Sequence, residues 1–162
     1  LRDRCLGPVA EPHPSGRMSA EGGPAAAGDT VIHRHLLRGY WEDTDAGGIV
    51  YFANYLKFAE RARTEALLAR GIRQTELRER VGIVFAVREV SARYLRSARL
   101  EDQLCVTTRV EAARGARLVL RQDIWREETC LAETRVVLAC LGRDGRPVRV
   151  PAEVRSALAP SG

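Results

Sequence analysis

The chain has 162 residues, the length of one compact domain, so a multi-domain assembly of separate modules is excluded as the default architecture. Hydrophobic residues make up 45% and charged residues 29%, the proportions of an ordinary folded chain, and the longest apolar run, 136–141, is far too short to cross a bilayer. Lys57 is the only lysine among 26 basic residues, which stand against 21 acids for a net charge of +5. Cations scattered this evenly read as a solvated surface, with a dedicated anion site as the alternative, and no aromatic-basic box, finger spacing or basic stripe points to nucleic acid.

The first 29 residues are rich in Gly, Pro, Ala and Ser and lack apolar periodicity, so a mobile N-terminal tail is expected, followed by one domain over residues 30–158. Pro8, Pro12, Pro14 and Pro24 interrupt any signal-peptide core, and Met18 is the only methionine. Residues 1–17 are therefore expected to precede the native start, which an intact mass would test. Cys5, Cys105, Cys130 and Cys140 show no paired spacing, which fits a reduced, cytoplasmic protein.

Beyond the tail, alternation over Val31–Tyr40 predicts a first strand. The acidic, Thr- and Gly-containing segment EDTDAGG then predicts a turn. From about Tyr51 to Arg70, Tyr55, Phe58, Ala59, Ala62 and Ala66 recur on one face of a long helix, with Gly71 placed to end it. The three alanines leave a narrow face that a curved sheet can approach closely. A short helix is expected over Thr75–Arg80. Strands follow over Ile83–Tyr94, Gln103–Ala113, Ala116–Arg126 and Cys130–Leu141, and a terminal helix over Pro151–Leu158. The short joins favour antiparallel neighbours, so the class is α+β.

The chemistry concentrates between the first strand and the long helix. Asp45 sits in a glycine-flanked turn that includes Gly48, just before a helix N-terminus whose unpaired N–H groups favour oxygen carrying developing negative charge. A carboxylate there can attack a carbonyl or activate water while backbone amides stabilise the oxyanion. The competing structural reading is that Asp43 and Asp45 only make turn and capping hydrogen bonds.

The segments EDTDAGGIVY, Ala53-Asn54-Tyr55-Leu56, Phe58 and Glu60-Arg61-Ala62-Arg63-Thr64-Glu65 resemble the hotdog-fold acyl-CoA thioesterases of the 4-hydroxybenzoyl-CoA thioesterase type, in particular the YbgC-like branch associated with the Tol–Pal cluster. Tyr94-Leu95 and Ala98-Arg99-Leu100 add weaker support. The resemblance implies a strongly curved antiparallel sheet wrapped around one long central helix, assembled as a dimer or a tetramer of two dimers. It implies hydrolysis of an acyl-CoA thioester, with Asp45 as nucleophile or general base and the backbone N–H of Phe52 polarising the carbonyl. It requires neither metal nor cofactor, coenzyme A being part of the substrate, and it places the protein in the cytoplasm or at the inner face of the inner membrane. Trp41 and Phe52 depart from the branch, where tyrosine and histidine are usual. Phe52 is expected to favour a bulky or aromatic acyl group, with a changed rate or lost activity as the alternatives.

Other residues carry paired readings. Asn54 either positions the Asp45 loop or caps the helix, and Tyr51 either lines an acyl pocket or packs. Glu60, a catalytic acid in another hotdog branch, reads here as a surface or interface group. His33 and His35 share one strand face but lack a third ligand, so no zinc site is expected. Arg93, Arg96 and Arg99 are the candidates for coenzyme A phosphates. A hotdog dehydratase is disfavoured, because it normally relies on a histidine and none follows His35. The rival from another class is a non-catalytic module that binds acyl-carrier protein or lipid-synthesis enzymes.

Overall fold

Period-two alternation builds one five-stranded antiparallel sheet in the computed structural model, which describes residues 31–159. The expected N-terminal tail, its start site and Cys5 lie outside the described residues. The strands are β1 (Val31–Arg38), β2 (Val84–Tyr94), β3 (Gln103–Arg114), β4 (Arg117–Arg126) and β5 (Thr129–Leu141), in the order β1-β3-β4-β5-β2. Two-residue turns join β3 to β4 and β4 to β5, and their first residues, Gly115 and Glu127, take positive φ of 60° and 54°, as tight hairpins require. Register shifts at 31/33, 87/89, 110/112 and 124/125 put a bulge into every adjacent strand pair or its flank, and bulges bend a sheet.

The long helix, α1, runs over Asn54–Leu68, shorter at both ends than its apolar periodicity suggests. Residues 51–53 form a turn instead, in which the Asn54 N–H donates to the Tyr51 carbonyl at 2.9 Å. At the other end the Gly71 and Ile72 N–H groups close back on Leu68 and Leu67, with Gly71 at φ 73°, the left-handed C′ glycine that stops the helix. α1 packs chiefly on β1 and β3 and touches β4 and β5. Phe58, Ala59 and Ala62 are fully buried, so the small residues do let the sheet close on the helix axis. The short helix begins at Gln74–Glu76 (α2) and continues as a π-turn over Leu77–Val81, released by Gly82 at φ 74°. The terminal helix, α3, spans Ala152–Ala157 behind Pro151.

Two apolar clusters fill the space between α1 and the sheet. One, at the N-terminal end of α1, contains Val50, Tyr55, Phe58, Leu104, Ile124 and Leu131. The other, toward its C-terminal end, contains Leu67, Leu77, Leu118, Leu138, Val154 and Leu158. Between them a polar belt ties helix to sheet: Gln122 donates to the Ala59 carbonyl at 2.9 Å and to Thr108 Oγ1 at 3.1 Å, and accepts from Arg63 at 2.9 Å. Every member is hydrogen-bonded, which is what makes polar groups tolerable at this depth. β2 is an edge strand in the described sheet, and Val84, Val87 and Val90 on it stay exposed at 43%, 54% and 46%.

Candidate active site

The turn between β1 and α1 divides its two acids between structure and exposure. Asp43 is buried and accepts the Tyr40 N–H at 2.9 Å, while its carbonyl takes the Tyr51 N–H at 2.8 Å and the Asn54 side-chain amide at 2.9 Å. The capping reading thus describes Asp43. Asp45 is exposed, and its Oδ1 accepts only the Gly47 N–H, at 2.8 Å; Oδ2 has no hydrogen-bond partner among the described residues. Gly48 at φ +72° closes the turn by donating to the Asp45 carbonyl at 3.0 Å, and open space lies over its α-carbon. A β-carbon at Gly47 would meet Asp45 Oδ1 at 3.0 Å, so glycine there lets the carboxylate lie against the backbone.

The loop is pinned from both sides. Thr44 bridges to Val50 and Ile49 bridges to Arg99, and the Val50 N–H donates to the Ala98 carbonyl at 2.8 Å. Asn54 therefore positions the loop: buried on the first turn of α1, it reaches back to Asp43 rather than making a side-chain cap. Phe52 lies in the turn before α1, and its N–H donates to no group among the described residues. The exposed Asp45 carboxylate and that free N–H flank the same loop.

Aromatic rings cluster around Phe52. The Tyr51 and Phe52 rings lie 4.7 Å apart, and Phe52 meets Tyr94 edge-on at 6.1 Å. Tyr94 in turn meets Tyr55 at 5.5 Å. Tyr51 is 45% exposed and Phe52 57%, so neither is spent on packing the core, and Trp41 on the preceding turn is 79% exposed. Burial raises the Tyr55 and Tyr94 phenols above their ordinary value, against the opposing Ala98 hydrogen bond at Tyr55, so both are neutral at pH 7. The Tyr55 hydroxyl accepts the Ala98 N–H at 2.8 Å and so locks the loop that backs the site.

Among the three candidate arginines, Arg93 does not join this cluster. It precedes Tyr94 on β2, so it points to the opposite sheet face, where it pairs with Glu133 at 3.1 Å. Arg96 and Arg99 follow in the loop after β2, and their guanidinium groups make no hydrogen bond or ion pair among the described residues. Glu60 is exposed on α1 and accepts from Thr64 at 3.2 Å, while His33 and His35 are half-buried on β1. No group of three His, Cys, Asp or Glu able to hold a metal occurs among the described residues. Nothing in the sequence alone marks Tyr94 as a member of this cluster. Its alternation on a strand was readable, but the pairing that carries that strand to the start of α1 was not.

Residues 47–133 match the thioesterase superfamily. The chain belongs to that superfamily. It is 42% identical over 123 residues to the acyl-CoA thioesterase YbgC of Haemophilus influenzae, an overlap of 75% of this chain and 90% of that protein. It is 29% identical over 124 residues to the 1,4-dihydroxy-2-naphthoyl-CoA hydrolase of Thermosynechococcus vestitus, covering 73% of this chain and 85% of that protein. Among solved structures, a probable thioesterase from Bartonella henselae superposes with a TM-score of 0.71 at 35% identity, over 74% of this chain and 98% of that one. The sheet and α1 are thus a hotdog fold of the thioesterase type.

Proposed function

We propose that the chain hydrolyses acyl-CoA thioesters to a free carboxylic acid and coenzyme A at the Asp45 loop. The observation that supports this most directly is an exposed carboxylate with an uncommitted oxygen on the same 43–53 segment as an unpaired N–H at Phe52. The Phe52 N–H polarises the thioester oxygen, and Asp45 either attacks the carbonyl carbon or takes a proton from the attacking water. The carbon–sulfur bond then breaks and the thiolate of coenzyme A leaves; where Asp45 is the nucleophile, water next hydrolyses the acyl-Asp45 anhydride, releasing the acid and restoring the carboxylate. The rings of Tyr51, Phe52 and Tyr94 give the acyl group an aromatic wall, which suits bulky or aromatic acids. Arg96 and Arg99, whose guanidinium groups have no partner among the described residues, meet coenzyme A phosphates in this reading.

The working unit is a homodimer in which β2 continues its ladder onto β2 of a second copy, covering the exposed Val87 and Val90. The protein works in the cytoplasm, a reading supported by cysteines without paired spacing. Among the described residues no helix is long and apolar enough to cross a membrane. The exposure of Trp41 favours a second reading, a docking surface for acyl-carrier protein.

Free-thiol release from short, long and aromatic acyl-CoA esters tests the first reading. Asp45→Asn is expected to lower the best rate by about 100-fold or more while leaving the fold intact, the range for removing a positioned acid or base. An Asp45→Asn protein of unchanged rate overturns it, and carrier-protein binding without turnover favours the second reading.

A further inference from the structure

A cavity of about 130 Å³ opens between α1 and the sheet, and none of its lining residues belongs to the Asp45 loop. Its volume is close to the ~150 Å³ of an apolar cavity that admits benzene. Phe85 on β2, Leu118 and Leu120 on β4 and Leu138 on β5 form an apolar floor. Glu60, Arg63 and Thr64 form a polar edge on α1.

Arg63 is the unusual member of this lining. Its guanidinium carries five donors, of which one goes to the neutral Gln122 amide oxygen at 2.9 Å, and no carboxylate pairs with it among the described residues. Glu60 lies one turn away, but it is exposed and occupied with Thr64 at 3.2 Å. Burial lowers the Arg63 pKa by more than Glu60 restores, so the cation is under-compensated. Arg63 is half-buried and its remaining guanidinium donors stay accessible at the cavity edge, so a cation with spare donors beside an apolar floor is suited to an anionic head on an apolar body.

We propose that this cavity is a second binding site, for a small monocarboxylic acid whose carboxylate meets Arg63 and whose body lies against Leu118, Leu120 and Leu138. The ligand is of the class that thioester hydrolysis releases, yet the site stands without that reading, because it rests on Arg63 and the cavity alone. Occupancy links α1 to β4 and β5 at the polar belt, where Arg63 meets Gln122.

Methyl-detected NMR titration of the full-length protein with sodium benzoate, and with benzyl alcohol as the uncharged control, tests the proposal. Benzoate is expected to bind saturably, about tenfold or more tighter than benzyl alcohol, and to shift the methyl signals of Leu118, Leu120 and Leu138. Arg63→Met is expected to abolish the preference for benzoate, whereas Arg63→Lys retains part of it through charge. A strut role for Arg63 would instead lower Tm in Arg63→Met without changing the preference, and that result overturns the proposal. So does a wild-type titration in which benzoate does not bind, or shifts only Val50 and Leu104 near the Asp45 loop; both readings need no variant to fold.

Discussion

Asp43 and Asp45 are two residues apart and chemically identical, yet their surroundings give them opposite tasks. Asp43 faces inward and satisfies the Tyr40 N–H, while Asp45 keeps one oxygen free in solvent. Asn54 connects the two, because its amide holds the Asp43 carbonyl at 2.9 Å and with it the start of the loop. Asn54→Ala is expected to cost about 1 kcal/mol of stability, the net worth of one hydrogen bond. If loop placement suffers to the same extent, kcat falls about fivefold with KM changed less. Steady-state kinetics with thermal melts measure both, and equal falls in stability and no change in kcat would assign Asn54 a purely structural part. The DTD turn itself was readable in the chain. Which aspartate would be buried was not, since that depends on where β1 and α1 come to rest.

Among the elements, β2 has the most unusual surroundings. It pairs with β5 on one side only, and valines at 84, 87 and 90 remain exposed on it, an edge that soluble proteins seldom leave open. Val90→Arg is expected to convert the proposed dimer to monomer in sedimentation velocity, through loss of apolar burial and juxtaposition of like charges across the two-fold axis. A Val90→Arg protein that sediments like the wild-type dimer would move the interface elsewhere. The strand's existence was legible from its period, and its ends were placed to within one residue. Its position beside β5 was not, because a chain-order reading cannot say that β2 lies four places from β1 in the sheet. The same crossing explains Arg93: only the pairing of Arg93 with Glu133 in the β2–β5 ladder shows that its side chain leaves the site.

At the scale of the molecule, the packing of β1 on α1 makes stability depend on pH. His33 and His35 are held below their ordinary value of 6.5, first by burial and also by neighbouring positive charge, from His35 and Arg70 at His33 and from Arg61 at His35. Glu65 opposes the shift at both. The unfolded chain therefore takes up protons before the folded one, so their contribution is complete above about pH 6.5 and declines as pH falls below it. Tm is expected to drop between pH 7.5 and 5.5, and the His33→Gln/His35→Gln double variant to drop less. An equal drop in both proteins would locate the acid sensitivity elsewhere.

Periodicity, glycine placement and the acid-rich turn were enough to specify the α+β class, each strand, the alanine face of α1 and the Asp45 loop. These are local properties, decided by which side chains alternate and which backbone angles glycine permits. The helix start was displaced by three residues, because the apolar rings of Tyr51 and Phe52 continue the helical period while the backbone turns to meet Asp43. The proximity of Tyr94 to Phe52, the outward pairing of Arg93 and the meeting of Arg63 with Gln122, 59 residues away, were settled only by tertiary structure. Each depends on strand order and register, which follow from burying both apolar clusters at once rather than from any single stretch of chain.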